Sequence, residues 1–357
     1  MTTGTRASFS GVTSNQPQGI IYPELVHSGM VETLVQNTDA FNGASLNTIR
    51  LVTQRRMGDF HHESFFKNVS NLVNRRDVTT ASPENADVAA SAVPVDESVT
   101  VKLNRRIGPI DQTYDSFRKL GDSADLEVLS FLLGEQIAKA MQIEMLDTGL
   151  RSIVAAITAQ AALVHTTNGT SPISSIATAD LVTGLSLFGD AASRVSMWVM
   201  HSKPFFDLIQ SQITANIDGI SNFNIAQASP VTLNRPVLVT DSAALINGSE
   251  YTTLGLVGNA VTMEDSEEEL MYTDVITGKE NIVTRLQGEY AYNIGCKGVK
   301  WDIANGGVNP SDAALATTTN WDKVMDNDKD LGGMARRLRT TLEGLDVQAF
   351  LKDLIKK

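Results

Sequence analysis

Between Asp125 and Leu163 the chain reads DLEVLSFLLGEQIAKAMQIEMLDTGLRSIVAAITAQAAL, the stretch that most limits what the rest can fold around. Leu126, Leu129, Leu133, Ile137, Met141 and Met145 recur at steps of three or four, the spacing of one helix face. Asp122 and Ser123 supply capping side chains just upstream. An unbroken helix of this length extends about 58 Å at 1.5 Å per residue. Gly134 and Gly149 are the places where it is expected to bend or break. The methionines on the stripe read as core side chains, since Met fills irregular gaps between packed elements.

Two flanking segments have no way to bury themselves. Residues 1–45 show no sustained period and cluster Gly, Ser, Thr, Asn and Pro, so they read as an extended arm. From Asn68 to Lys119, NLVNRRDVTT and ESVTVKLNRRI read as the two limbs of a long β excursion. The tip between them, ASPENADVAASAVPVD, carries two prolines and many small residues. A two-stranded ribbon of this length cannot bury both faces within its own domain, so it calls for a partner.

Beyond the long helix, Thr178 to Ala192 reads as a second helix, SMWVMH as a strand, and the run after Lys203-Pro204 as a third helix. Ile217 to Asp302 reads as mostly β, with NIAQAS, RPVLVTDSAAL, YTTLGLVGNAVTM and ENIVTRLQGEYAYNIGCKGVKWD as strand-like runs. EDSEEELMYTDVITGKE between the last two reads as an acidic loop, and the end of the chain as helical and basic. No internal repeat is visible.

Composition removes several classes. Cys296 is the single cysteine, so an intrachain disulfide and a Cys-rich zinc site are both excluded. The formal net charge of -12 is wrong for a basic-patch nucleic-acid binder. Residues 1–120 balance their charges, 216–290 are strongly acidic and 334–357 are basic, a separation that lets copies of one chain pair with each other. No run of about 18 apolar residues predicts a membrane span. The polar N-terminus lacks a secretory core, so folding in a cytoplasm is expected.

The chemistry-bearing motifs come out empty. His201, Ser202 and Lys203 are adjacent, and neighbours on a strand point to opposite faces, so they do not converge as a nucleophile and its base. DNDKDLG, from Asp326, resembles the start of a calcium loop but has Leu331 where the turn needs Gly and Arg337 where a bidentate Glu belongs. His61 and His62 diverge in the same way and have no cluster of ligands near them in sequence. Neither type of Gly-rich phosphate loop occurs. No cofactor, metal or catalytic residue is expected.

The order of elements, from Thr80 to Asp302, resembles the major capsid (coat) protein of tailed double-stranded DNA bacteriophages. WVMHSKPFFDLI is similar to that family's strand, turn and helix near the capsomer centre. RPVLVTDSA is similar to the strand that follows. GLVGNAVTM and NIVTRLQGEYAYNIGCKGVKWD are similar to its closing strands. The resemblance implies an α+β fold with an N-terminal arm, an extended β-hairpin loop, a peripheral domain with a long spine helix, and an axial domain. Mapped here, these are 1–65 for the arm and 66–120 for the loop. Residues 121–195 with 275–320 form the peripheral domain, 196–274 the axial domain, and 321–357 a C-terminal helical segment.

It also implies a structural protein of the virion that assembles in the host cytoplasm as hexamers and pentamers, closing an icosahedral capsid around double-stranded DNA. The partners implied are the chain itself, a separate scaffolding protein, a portal, a decoration protein and packaged DNA held without sequence specificity. No membrane is involved. Arg75, Arg76, Arg105 and Arg106 on the excursion, with Glu264, Asp265, Glu267, Glu268 and Glu269 in the acidic loop, are the candidates for contacts between subunits. Two rival readings are a cargo-enclosing protein shell of related fold and an α+β enzyme whose site gathers residues such as His27, His165 and Asp241.

Overall fold

A computed structural model describes residues 21–52, 56–69, 72–73, 75, 90, 92–113, 126–166, 176–217, 232–247, 250–266 and 269–339. Contacts divide the chain into two compact units. Unit 1 takes residues 1–39, 104–144 and 267–291; unit 2 takes 40–103, 145–266 and 292–357.

The first helix, α1 (Pro23–Ala44), overturns the expectation of an extended arm for that stretch; residues 1–20 lie outside the described residues. Pro23 sits at the first helical position, where its missing N–H costs nothing, and Glu24 faces the positive helix end. The Tyr22 N–H finds an acceptor in Ser130 Oγ at 3.1 Å. The helix stops at two consecutive left-handed residues, Leu46 and Asn47. Its apolar residues form no clean stripe, because Val31 and Val35 are exposed while Val26 and Met30 are fully buried. That irregularity hid the helix from a period search.

The long helix, α2 (Leu126–Thr158), runs unbroken for 33 residues, with neither glycine ending it. Its glycines admit neighbours instead. A Cβ on Gly134 would lie 2.2 Å from the Val26 carbonyl oxygen, and one on Gly29 2.5 Å from the Phe131 carbonyl oxygen. α1 and α2 therefore touch backbone to backbone at two notches. Around them Ile21, Val26, Met30, Ile107, Ile137, Ala138, Met141 and Leu286 form the core of unit 1.

Unit 2 holds the first strands, β1 (Ile49–Val52) and β2 (Phe60–Phe66). The strand β3 (Val95–Thr113) takes in the second predicted limb of the excursion. Its partner is β2, with Phe60 opposite Val101 and Phe66 opposite Val95. The first limb therefore lies upstream of where it was expected. Of NLVNRRDVTT, only Leu72, Val73 and Arg75 are described, and none is in a strand.

Three strands of a second unit 2 sheet come next: β4 (Val164–Thr166), β5 (Val195–Met200) and β6 (Val237–Val239). Helix α3 (Thr178–Ser186) precedes β5, and α4 (Ser202–Ile217) follows it. Then come β7 (Ile246–Asn247), β8 (Glu250–Val257) and β9 (Val261–Asp265). The expected acidic loop contains a strand, β10 (Leu270–Ile276), which pairs antiparallel with β11 (Val283–Cys296) in unit 1. The antiparallel pair β12 (Val299–Trp301) and β13 (Trp321–Lys323) stacks Trp301 edge-on against Trp321.

The expected helical C-terminal segment is corrected as far as Arg339: after β13 comes another strand, β14 (Gly333–Arg339). Residues 340–357 lie outside the described residues. β14 is inserted in the order β4-β14-β8-β5-β6, parallel to β4 and antiparallel to β8. Buried on both faces, with Met334, Ala335 and Arg336 all inaccessible, it shows no alternation. Its arginines made it look like a solvated helix, yet Arg336 is buried against the Asp180 carboxylate of α3. Within unit 2, β1 pairs parallel with β9, β9 pairs antiparallel with the Tyr292–Cys296 end of β11, and β2 pairs antiparallel with the start of β3.

Candidate functional site

The junction MWVMHSKPFFDLI is assembled from β5 and α4. Met197, Trp198, Val199 and Met200 are buried in the sheet, and Leu208 is buried on α4. His201 lies between them. Its Nδ1 accepts the Lys203 backbone N–H at 3.2 Å and lies 3.4 Å from Ser202 Oγ. Its Nε2 lies 3.6 Å from Asp241 Oδ1, and its ring leans on Tyr251 with centroids 5.0 Å apart.

Serine, histidine and aspartate thus come into line, but the line is not a catalytic one. The Nδ1 lone pair is already taken by a helix N–H, so it cannot serve Ser202 as base. The imidazole works as a cap for one of the orphan donors at the start of α4. Pro204 stands in the same first turn, where its lack of an N–H is harmless. The residues of the rival enzyme reading have other neighbours within their own units. His27 is exposed on α1, His165 lies opposite Arg336 between β4 and β14, and the histidine beside Asp241 is His201.

The calcium-like run is spent on lysines and arginines. Asp326 meets Lys67 at 3.3 Å, Asp328 meets Lys323 at 2.5 Å and Asp330 meets Arg194 at 2.7 Å. On β2 the two histidines part: His62 Nδ1 lies 3.1 Å from Glu97, and His61 sits opposite Thr100. Among the described residues no cluster of three or more His, Cys, Asp or Glu side chains could hold a metal. Cys296 is buried, and burial pushes its thiol far above the ordinary range.

Of the nine charged candidates, Arg76, Glu267 and Glu268 lie outside the described residues. Among the others, Arg105 and Glu264 meet named partners within their own subunit. Arg105 meets Glu144 at 2.6 Å, and the Tyr290 hydroxyl donates to the other oxygen of that carboxylate at 3.0 Å, all within unit 1. Glu264 lies 2.8 Å from Arg56 Nε within unit 2. Glu144 and Arg56 escaped the sequence reading. Glu144 carried a signal, since it falls three residues past Met141 on the apolar stripe, where a charge implies a paired neighbour.

Asp265 and Glu269 are half-buried. Arg75 and Arg106 are exposed, and among the described residues neither has an ion-pair partner.

A family model described as major capsid protein 13-like matches residues 20–335, most of the chain. The chain belongs to this family of major capsid proteins. Its role is therefore structural and capsid-forming rather than catalytic, its copies associate with one another, and its place is the virion capsid.

The fold is the α+β fold of the tailed-phage major capsid proteins. Among solved structures, this capsid protein is similar to the cyanophage Pam1 capsid asymmetric unit at 10% identity and a TM-score of 0.49, covering 83% of this chain and 89% of that one. It is similar to the capsid of Ralstonia phage GP4 at 10% identity and 0.47, covering 84% and 89%. It is also similar to the capsid of Myoviridae phage XM1 at 10% identity and 0.46, covering 83% and 90%. No curated protein sequence matches the chain. Among the described residues no helix is long and apolar enough to cross a membrane.

Proposed function

We propose that this capsid protein assembles as hexamers and pentamers into an icosahedral shell that encloses double-stranded DNA. The observation that carries the reading is the family match across residues 20–335. Assembly takes place in the host cytoplasm, with a separate scaffolding protein setting curvature, a portal at one vertex and a decoration protein outside. DNA is held without sequence readout, in keeping with the net charge of -12.

In the domain division, residues 1–65 serve as the arm, 66–120 as the extended loop and 121–195 with 275–320 as the peripheral domain. Residues 196–274 serve as the axial domain. The contacts between copies use Arg75, Arg76 and Arg106 against carboxylates of the acidic segment, Asp265, Glu267, Glu268 and Glu269. Arginine suits this task because its planar fork can hold a carboxylate through two hydrogen bonds. Each exposed pair contributes only about 0–1 kcal/mol, but a shell repeats it at every subunit.

Electron microscopy of the protein expressed alone and with its neighbouring genes tests the reading. Closed particles tens of nanometres across, filled with DNA when a portal is present, are the expected result. Small soluble oligomers with no shell under either condition would overturn it. Shells that purify around an enzyme and never take up DNA would move the function to cargo enclosure.

A further inference from the structure

Residues of β2, β3, β9 and β11 that belong to unit 2 line a cavity of about 300 Å³. Register builds it strand by strand. Thr262 and Glu264 on β9 lie opposite Gly295 and Asn293 on β11, and Thr100 and Ser98 on β3 lie opposite His61 and Glu63 on β2. Gly295 is the notch between them, since a Cβ there would come within 2.6 Å of Thr100 Cγ2.

Two donors around the cavity are directed elsewhere. Lys297 Nζ donates to the Gly258 carbonyl at 3.2 Å, and Asn293 Nδ2 donates to the Arg56 carbonyl at 3.0 Å. The acceptors are open. Asn293 is only 2% exposed, yet its Oδ1 has no hydrogen bond among the described residues. Thr100 Oγ1, a hydroxyl that can accept or donate, is likewise without a hydrogen bond, whereas Glu264 Oε2 is held by Arg56 Nε at 2.8 Å. Glu63 is exposed and has no ion-pair partner among the described residues. Buried acceptors in native structures are paired, and each exception calls for a donor.

We propose that this cavity receives a cationic hydrogen-bond donor, the guanidinium of an arginine carried by a second copy of this chain. The open amide oxygen of Asn293 and the Glu63 carboxylate in the lining rule against an anion. A guanidinium has five N–H groups in one plane and no acceptor, so several oxygens can use it at once. The volume suits a side chain and lies at the lower end of that for a small-molecule site. Each copy carries donors of this kind, since Arg75 and Arg106 are exposed without a partner among the described residues. The inference rests on the capsid-forming role.

The test uses the full chain with Glu63→Gln and with Glu63→Gln/Thr100→Val. Glu63→Gln removes only an exposed charge with no ion-pair partner among the described residues, so it keeps the test open should the double variant fail to fold. Wild-type shells, imaged at side-chain resolution, are expected to show an arginine of a neighbouring copy in the cavity. Assembly of the single variant should weaken several-fold and that of the double variant about tenfold, or roughly 1.4 kcal/mol per contact. Millimolar ethylguanidinium should slow assembly of the wild type and not of the double variant.

Shells whose cavity holds only water, a free polyamine or an arginine of the same copy would overturn the proposal and leave the capsid role standing. So would an unchanged assembly yield from Glu63→Gln. Absence of any wild-type shell is a different result, which would remove the capsid reading and this one together.

Discussion

The α carbon of Gly134 faces the carbonyl oxygen of Val26 so closely that a Cβ on the glycine would lie 2.2 Å from it. A contact this short joins α1 to α2 inside unit 1 and leaves no flexible side chain to give way. Gly134→Ala sets two effects against each other. Alanine is the better helix former by about 1 kcal/mol, while overpacking against rigid backbone costs about 1–3 kcal/mol or more. Net destabilisation is expected, read as a lower denaturation midpoint of the unassembled subunit. Gly43→Ala is the control, because nothing lies within 4 Å of its missing Cβ. That variant should be stabilised by about 0.5–1 kcal/mol.

Arg105 and Arg106 are neighbours in sequence with opposite assignments. Arg105→Ala breaks the half-buried contact with Glu144 and should lower subunit stability by about 1–2 kcal/mol. Arg106→Glu should leave the melting temperature of the subunit nearly unchanged and reduce shell yield. Denaturation of the subunit and particle counts by microscopy separate the two. Equal effects of both variants on the melting temperature would show that Arg106 also acts within its own subunit.

Lys67 bridges Asp96 at 3.1 Å and Asp326 at 3.3 Å, next to Lys300. The Glu97 backbone N–H and Lys67 hold the Asp96 carboxyl below its usual 3.8, and the hydrogen bond to Asp96 holds Lys67 above its usual 10.5. The depressed carboxyl contributes stability present above pH 3.8 and lost as pH falls through its lower folded value. The raised ammonium contributes stability present below pH 10.5 and lost as pH rises through its folded value. Lys67→Met should therefore flatten both shoulders of the melting temperature against pH. Curves that stay parallel to the wild type from pH 2 to 12 would contradict this.

Cys296 is buried and its thiol is raised above the ordinary 9.0 by desolvation. The protonated form is favoured in the fold, so its contribution is intact below pH 9.0 and falls as pH rises further. Native protein should resist alkylation at pH 8 and react only when denatured. Cys296→Ala should soften the alkaline loss of stability. Cys296→Ser should assemble normally under reducing and non-reducing conditions, with a packing defect of about 1–2 kcal/mol per subunit. Rapid labelling of the native protein would show that the strand opens.

Local pattern fixed what local physics controls. The α2 stripe, the strand SMWVMH and the first-turn Pro204 were all legible, because period, β-branching and a missing N–H act within a few residues. α1 was not, since its packing rests on Gly29 and Gly134 meeting carbonyls of another helix more than a hundred positions away, which leaves no period. β14 was misread because a strand buried on both faces does not alternate and because Arg336 is neutralised by the distant Asp180. The same reason governs the charges. Sequence counted nine candidate contacts, but only tertiary structure decided that Arg105 belongs to Glu144 and Glu264 to Arg56. A side chain's charge is written in the chain, whereas the partner that spends it is chosen by the fold.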